Sequence, residues 1–229
     1  MHDADCERVI RPAGLLKYFH TASNEQLAKS YGLTEDELRR RDTAFILSSM
    51  SVDIFSPVYM EEEVEITTFA EISHGVKFGR TYEMRRRDEL VAVAHGQFAL
   101  VRISDRTFVR VDEAGHTFDA EERTFIPFFD GRIKPIKTEE MISAGTFTVP
   151  YSFIDRNMHM NNTWYADMLL SAIPEFEAKK LSSFCISYLH EAKRGQTLSL
   201  WYVYDGEKYI VKSTFDDGSV NSLAAVKLK

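Results

Sequence analysis

The order of the predicted elements constrains the fold of this chain most, because one helix followed by several strands occurs twice. In the first half, apolar residues recur at helical spacing over residues 14–31, and Gly32 ends the run. Strand patterns follow, and the clearest covers residues 64–72, where apolar side chains alternate with acidic and polar ones. The second half repeats this order, with a helix predicted over residues 162–173 and further strands up to residue 228.

This repetition predicts an α+β fold made of two modules. We expect an N-terminal module at residues 1–111, a linker at 112–142 and a C-terminal module at 143–229. Each module would wrap a curled antiparallel sheet around one long helix. The two sheets would join edge to edge, because this pairs strand edges that would otherwise be exposed.

The composition narrows the class of protein. The chain has 229 residues, 44% of them hydrophobic, and a formal net charge of -7. This acidic balance argues against a nucleic-acid or membrane-surface role for the whole molecule. Cys6 and Cys185 do not form a disulfide pattern, and no Cys/His cluster has zinc spacing. We therefore expect a soluble cytoplasmic protein that uses no cofactor.

The most informative segment is Asp-Arg-Asn-Met-His-Met-Asn-Asn at residues 155–162. Asp155, Asn157 and His159 alternate, so an extended backbone would direct their side chains to one side. Asn161 and Asn162 are suitable N-cap residues for the helix that follows, and a helix N-terminus favours negative charge. Convergent polar groups beside such a helix are what the cleavage of an ester or a thioester requires.

This segment resembles the Asp-x-Asn-x-His-Val-Asn-Asn signature of the acyl-acyl carrier protein thioesterases, with Met160 in place of Val. Tyr188-Leu-His-Glu191 likewise resembles the Tyr-x-x-Glu segment of that family. The resemblance implies a tandem (double) hot-dog fold and release of fatty acid from acyl carrier protein during fatty acid biosynthesis. Plant members often carry Cys after the Glu, whereas this chain has Ala192, which excludes a cysteine nucleophile at that position.

The resemblance and the chemistry together predict the catalytic roles. Either Glu191 or Asp155 acts as the general base on water, and both alternatives are open at the level of sequence. Asn157 and His159 hold the water or the thioester carbonyl. The helix that opens at Asn161 supplies backbone N–H groups for the oxyanion.

Substrate and partner contacts are predicted on both sides of this motif. The basic pair Lys193 and Arg194 is expected to attract the acidic acyl carrier protein. In a loose alignment of the halves, the first-half counterparts of the motif are residues without suitable chemistry, so one active site per chain is expected. These counterparts are Arg8, Ile10 and Pro12. The predicted substrate-binding residues are Asn161, Asn162, Trp164, Phe19, Phe45 and Met50.

Other functions compatible with this pattern are an acyl-CoA thioesterase, a hot-dog dehydratase and a non-catalytic acyl-thioester sensor. A sensor coupled to transcription would need a basic helix-turn-helix, which the first 14 residues cannot hold. Fold alone does not decide between these functions. The oligomeric state is expected to be a monomer or a homodimer.

Overall fold

The computed structural model describes residues 3–115, 118–122, 125–129, 133–174 and 176–229. The helices are α1 (Pro12–Tyr31), α2 (Glu35–Arg40) and α3 (Trp164–Leu170). The strands are β1 (Thr43–Ile54), β2 (Glu65–Glu71), β3 (Lys77–Arg86), β4 (Glu89–Arg102), β5 (Phe108–Val109), β6 (Ala120–Glu121), β7 (Ile142–Thr148), β8 (Leu181–Tyr188), β9 (Thr197–Tyr204), β10 (Tyr209–Thr214) and β11 (Val220–Leu228).

Helix α1 ends where its sequence predicts, at Gly32, and begins at Pro12, two residues earlier than predicted. Pro12 occupies the start of the helix, where its missing N–H costs nothing. The Asp167 carboxylate of α3 accepts a hydrogen bond from the Ala13 N–H at 2.8 Å, which stabilises this helix end from across the molecule. Gly32 ends the helix in the left-handed conformation at φ 64°. The Thr34 side chain caps α2 by accepting from the Glu37 N–H.

In the described residues, eleven strands form one sheet with the order β6-β2-β3-β4-β1-β8-β11-β10-β9-β7, and β5 pairs with β4. The first-half strands β1 to β4 and the second-half strands β8 to β11 form two antiparallel sets. They join through β1 and β8, which pair antiparallel from Ser49 to Asp53. The predicted edge-to-edge union of two sheets is therefore confirmed.

The main core lies where α1 and α3 pack on the sheet. Leu16 and Phe19 of α1, Leu169 of α3, and Met50 and Phe184 of the sheet are all fully buried there. Full burial of one such side chain stabilises the fold by roughly 1.5–3 kcal/mol. The expectation of one long helix in each half is wrong for the second half, because α3 has 7 residues whereas α1 has 20.

The predicted linker is tied to the outer face of the sheet. The Phe128 N–H donates to Asp53 Oδ2 at 2.9 Å, and Lys212 Nζ donates to the Ile136 carbonyl at 2.9 Å. Within the predicted linker, β6 pairs parallel with β2, so this stretch is not wholly irregular. Parts of the linker, at residues 116–117, 123–124 and 130–132, lie outside the described residues. No helix in the described ranges is long and apolar enough to cross a membrane.

Candidate active site

Residues 155–159 form a closed turn. The Asp155 N–H donates to the His159 carbonyl at 2.9 Å, and the Met158 N–H donates to the Asp155 carbonyl at 3.0 Å. Asp155 Oδ1 accepts from the Asn157 N–H at 2.8 Å, and Met158 adopts φ 67°. The predicted extended segment is therefore wrong, because the Asp side chain bonds the backbone two residues ahead and bends the chain. Alternation does not place Asp155, Asn157 and His159 on one face.

The same turn occurs once more, near the start of the first half. The Asp5 N–H donates to the Val9 carbonyl at 2.8 Å, and Asp5 Oδ1 accepts from the Glu7 N–H at 2.9 Å. Arg8 adopts φ 67°, as Met158 does. An isolated bridge flanks each turn, between Ala4 and Ile10 in the first half and between Ile154 and Met160 in the second.

This repeat corrects the loose alignment of the two halves. The counterparts of Asp155, Asn157 and His159 are Asp5, Glu7 and Val9, as the matching hydrogen bonds show. The predicted counterparts Arg8, Ile10 and Pro12 are wrong, because each lies further along the chain than the residue that occupies the matching position of the turn. Sequence similarity between the halves is too low to set this register, whereas the turn geometry sets it directly.

His159 and Glu191 meet in space, as the sequence predicts. His159 Nε2 lies 3.2 Å from Glu191 Oε2. The His159 side chain is 20% exposed and that of Glu191 is 50% exposed, so water reaches both groups. The backbone segments that carry these two side chains are hydrogen-bonded to each other, since the Met160 N–H donates to the Ala192 carbonyl at 2.8 Å. This bond brings His159 and Glu191 together. An imidazole in contact with a solvent-accessible carboxylate is a suitable pair for general acid–base chemistry.

The other motif side chains contact α2. Asn157 Oδ1 accepts a hydrogen bond from Arg39 Nη2. Arg156 Nη1 lies 2.9 Å from Glu35 Oε2, and its Nη2 lies 3.2 Å from Asp36 Oδ1. The turn at residues 155–159 of the second half is therefore docked on a helix of the first half.

Several of the predicted oxyanion donors at the start of α3 already make hydrogen bonds within the protein. Asn161 Oδ1 accepts from the Thr163 N–H at 3.0 Å, and the Trp164 N–H donates to the Asn161 carbonyl at 3.0 Å. The Asn161 N–H itself donates to the Phe153 carbonyl at 2.9 Å. Three of the backbone donors at this helix end are thus already paired. Asn161 therefore closes the turn ahead of α3, and the helix begins at Trp164, two residues later than predicted.

A cavity of about 770 Å³ lies between α1, α2 and the motif turn. Its wall includes Asp155, Asn157, Asn161 and Asn162 from the second half and Phe45 from the first. His20 also lines it, and burial lowers the pKa of this imidazole to about 4, so His20 is neutral at physiological pH. A second depression, of about 820 Å³, lies on another face of α1 and contains none of the predicted site residues.

Phe19, Met50 and Trp164 are placed differently from the prediction. Phe19 and Met50 are fully buried in the core, and Phe19 packs against the ring of Tyr82 at 5.2 Å. Trp164 stacks on Phe153 with ring centroids 4.2 Å apart. None of the three is among the described residues that line the 770 Å³ cavity. Strand and helix patterns identify inward-facing side chains, but they cannot separate a core position from a cavity wall.

The predicted partner residues are exposed beside Glu191. Lys193 and Arg194 follow it in the same loop, and the Arg194 guanidinium lies over the Tyr151 ring at 5.2 Å. Sequence reasoning missed Arg39, Tyr165 and Asn221 as neighbours of the site. Asn221 is a fully buried amide in the mostly apolar strand β11, and this is the local signal that it offers.

Comparison with known proteins shows which families the chain is similar to. Residues 136–227 match the family model of the acyl-ACP thioesterase C-terminal domain. The chloroplastic acyl-[acyl-carrier-protein] hydrolase FATB3 of Cuphea viscosissima is 24% identical over 203 residues, which covers 79% of this chain and 47% of that protein. The chain thus spans about half the length of this curated relative.

Solved structures show the same fold over the whole chain. An acyl-ACP thioesterase from Bacteroides thetaiotaomicron matches with a TM-score of 0.88 at 19% identity, covering 99% of this chain and 93% of that one. The 12:0-ACP thioesterase of Umbellularia californica matches with a TM-score of 0.79 at 16% identity, covering 100% and 94%. The predicted double hot-dog fold is confirmed, and residues 136–227, which include His159 and Glu191, match the family model of the acyl-ACP thioesterase C-terminal domain.

Proposed function

We propose that this protein is an acyl-[acyl carrier protein] thioesterase, which hydrolyses a fatty acyl thioester to free fatty acid and holo-acyl carrier protein. The contact of 3.2 Å between His159 and Glu191 carries the proposal. It lies in the segment that matches the family model, and the preceding motif residues line a cavity large enough for an acyl chain.

In the proposed reaction, Glu191 takes a proton from a water molecule while the water oxygen attacks the thioester carbonyl carbon. His159 and Asn157 hold the water and the carbonyl. The carbon–sulfur bond then breaks, and the departing thiolate takes up a proton. A thiolate is a good leaving group, so the activation of water is the main demand on the enzyme.

Glu191 is the proposed base, and Asp155 is proposed to keep the catalytic turn closed. Asp155 Oδ1 already accepts from the Asn157 N–H, and Asp5 makes the same bond in a turn that has Val9 in place of a histidine. A residue that recurs without the histidine has a role in turn geometry. This supports Glu191 over Asp155 among the two alternatives.

The two halves are proposed to have different functions. Residues 1–111 would form the module that holds the acyl chain, 112–142 the linker and 143–229 the catalytic module. Phe45, Asn161 and Asn162 are the proposed substrate contacts, because they line the cavity. The equivalent turn of the first half carries Glu7 and Val9 in place of Asn157 and His159, which supports one site per chain.

The proposed protein partner is acyl carrier protein, attracted by Lys193 and Arg194. Both side chains are exposed in the loop that carries Glu191, where a basic charge would attract an acidic carrier. Reversal of both charges should lower kcat/KM and weaken its dependence on salt concentration. Unchanged values of both quantities would reject this docking site. The proposed enzyme acts in the cytoplasm as a monomer or a homodimer, without a nucleic-acid or membrane partner.

The decisive experiment is a hydrolysis assay with a series of acyl carrier protein substrates of increasing chain length. Wild type, His159→Ala and Glu191→Ala are measured together, and the same acyl chains on coenzyme A are run beside them. We expect hydrolysis by wild type, faster on the carrier protein, and a large loss in both variants. Preference for coenzyme A would replace the proposal with an acyl-CoA thioesterase, and binding without hydrolysis would indicate a non-catalytic acyl-thioester-binding protein.

A further inference from the structure

The loop that carries Glu191 is held by one buried amide, Asn221. The Leu189 and His190 N–H groups both donate to the Asn221 carbonyl, at 3.1 and 3.0 Å. The Asn221 side chain returns a bond, since its Nδ2 donates to the His190 carbonyl at 2.6 Å. Asn221 is fully buried, so these bonds are shielded from competing water.

Tyr165 holds the other side of the same loop. Its hydroxyl accepts from the Ala192 N–H at 3.2 Å and from Asn221 Nδ2 at 3.4 Å. The Ala192 carbonyl in turn accepts from the Met160 N–H, and Met160 directly follows His159. Glu191 therefore lies between two residues, His190 and Ala192, that are both fixed by the Tyr165–Asn221 pair. Burial raises the pKa of Tyr165 above its ordinary value, so its hydroxyl stays protonated.

The first half contains the same backbone arrangement without these polar side chains. The Phe55 and Ser56 N–H groups donate to the Val91 carbonyl at 2.9 and 3.3 Å, just as Leu189 and His190 donate to Asn221. The Ile10 N–H donates to the Val58 carbonyl at 2.9 Å, which corresponds to the bond between Met160 and Ala192. Val91 thus occupies the position of Asn221.

The position of Tyr165 follows in the same way. The Arg11 N–H donates to the Asp3 carbonyl as the Asn161 N–H donates to that of Phe153, and counting onward from these residues Leu15 corresponds to Tyr165. Leu15 and Val91 are both buried and apolar. The fold thus accepts an apolar pair at these two positions.

A buried polar pair costs free energy unless its hydrogen bonds are made, and apolar residues fill the same space in the first half. The polar pair is present only in the half that has His159 and Glu191. We propose that Tyr165 and Asn221 are positioning residues that hold the Glu191 loop so that its carboxylate meets the His159 imidazole. This inference rests on the proposed function, in which that pair activates water.

The first test is Tyr165→Phe, which removes only the hydroxyl. We expect kcat to fall about tenfold with KM within about twofold, because the base is displaced while the acyl cavity is intact. Tyr82→Phe is the matched control, since Tyr82 is a fully buried tyrosine of the first-half core, and its kcat should stay within about twofold of wild type. Asn221→Val, which installs the first-half residue, should lower kcat by a similar factor with the protein still folded.

The second test separates positioning from a general loss of structure. In a Glu191→Gln background, Tyr165→Phe should lower kcat by less than about twofold further, since residues that act through one group are not additive. A full tenfold loss in both backgrounds, or no loss in the wild-type background, would overturn the proposal.

A third readout does not depend on activity. The ring resonances of His159, observed by NMR at fixed pH, should move in the same direction in Glu191→Gln and Tyr165→Phe and stay in place in Tyr82→Phe. Unchanged His159 resonances in Tyr165→Phe would reject the positioning role, even for a protein that hydrolyses no thioester. Absence of hydrolysis by wild type, with the resonances moving as expected, would reject the proposed function and leave the positioning role standing.

Discussion

The two turns at residues 5–9 and 155–159 share one backbone design and differ in chemistry. Each is closed by an aspartate that accepts from the N–H two residues ahead, and each has φ 67° at its fourth residue. The first turn carries Glu7 and Val9, where the second carries Asn157 and His159. Pro57 precedes Val58 in the first half, at the position that Glu191 holds before Ala192.

This comparison shows which features serve the fold and which serve the proposed reaction. The aspartate, the left-handed residue and the bonds to the neighbouring loop occur in both halves, so they belong to the turn. At the positions of the histidine, the glutamate and the Tyr165–Asn221 pair, the first half has Val9, Pro57, Leu15 and Val91. The first half instead has the 20-residue helix α1, which forms one wall of the cavity.

The largest expected effect concerns the pair itself. Glu191→Gln and His159→Ala should each lower kcat/KM by roughly 10²–10⁴, the range for loss of general acid–base catalysis. Glu7→Gln is the matched control in the first turn, where Glu7 is exposed and paired with Lys179, and it should change kcat/KM by less than about twofold. Steady-state kinetics on one acyl carrier protein substrate would measure all three. If Glu7→Gln and Glu191→Gln lowered kcat/KM equally, the proposed difference in function between the two halves would be wrong.

The next effect is on stability and concerns His20 of α1. Burial lowers its folded-state pKa from 6.5 to about 4, so between these values the unfolded chain binds a proton that the folded protein does not. The free energy of unfolding should therefore fall as the pH drops from 6.5 towards 4, by about 2–3 kcal/mol. His20→Gln should lack this part of the pH dependence in urea unfolding curves. Parallel curves for wild type and variant would contradict a buried neutral imidazole.

A smaller effect is expected on the preference for acyl-chain length. This effect distinguishes residues of the cavity wall from residues of the core in the first half. Phe45→Leu enlarges the cavity wall and should shift the ratio of kcat/KM for longer over shorter acyl chains about tenfold, since a few methylene contacts are worth 1–3 kcal/mol. Phe19→Leu makes the same change in the core, so it should lower the melting temperature without moving this ratio. If Phe19→Leu shifted the preference for acyl-chain length and Phe45→Leu did not, the proposal that the acyl chain binds in the cavity beside Phe45 would be wrong.

The smallest effect is expected for the residue that both turns share. Asp155→Asn keeps an acceptor for the Asn157 N–H, so kcat/KM should fall less than about fivefold. Asp155→Ala and Asp5→Ala each lose turn-closing hydrogen bonds and should lower the free energy of unfolding by similar amounts, about 1 kcal/mol. Chemical denaturation and kinetics on the same samples would test both statements. A loss in Asp155→Asn as large as that in Glu191→Gln would make Asp155 the base.

Several elements were predictable because their causes are local. The period of apolar residues identified α1 and the strands, and Gly32 marked the end of α1. The meeting of His159 and Glu191 was predicted from the family resemblance and is present at 3.2 Å. The length of α3 was overestimated, because the residues after Leu170 keep apolar character while the chain turns.

Sequence alone determined the order of the elements, the repetition of a helix followed by strands, and the residues available for chemistry, since these depend on side-chain type and short spacing. Tertiary structure alone decided the register of the repeat, the bend at residues 155–159, and the division between cavity and core among Phe45, Phe19 and Met50. It also decided that Tyr165 and Asn221 contact the Glu191 loop. The reason is that such contacts join segments far apart in sequence, whose relative positions are set only when the two sheets join at β1 and β8.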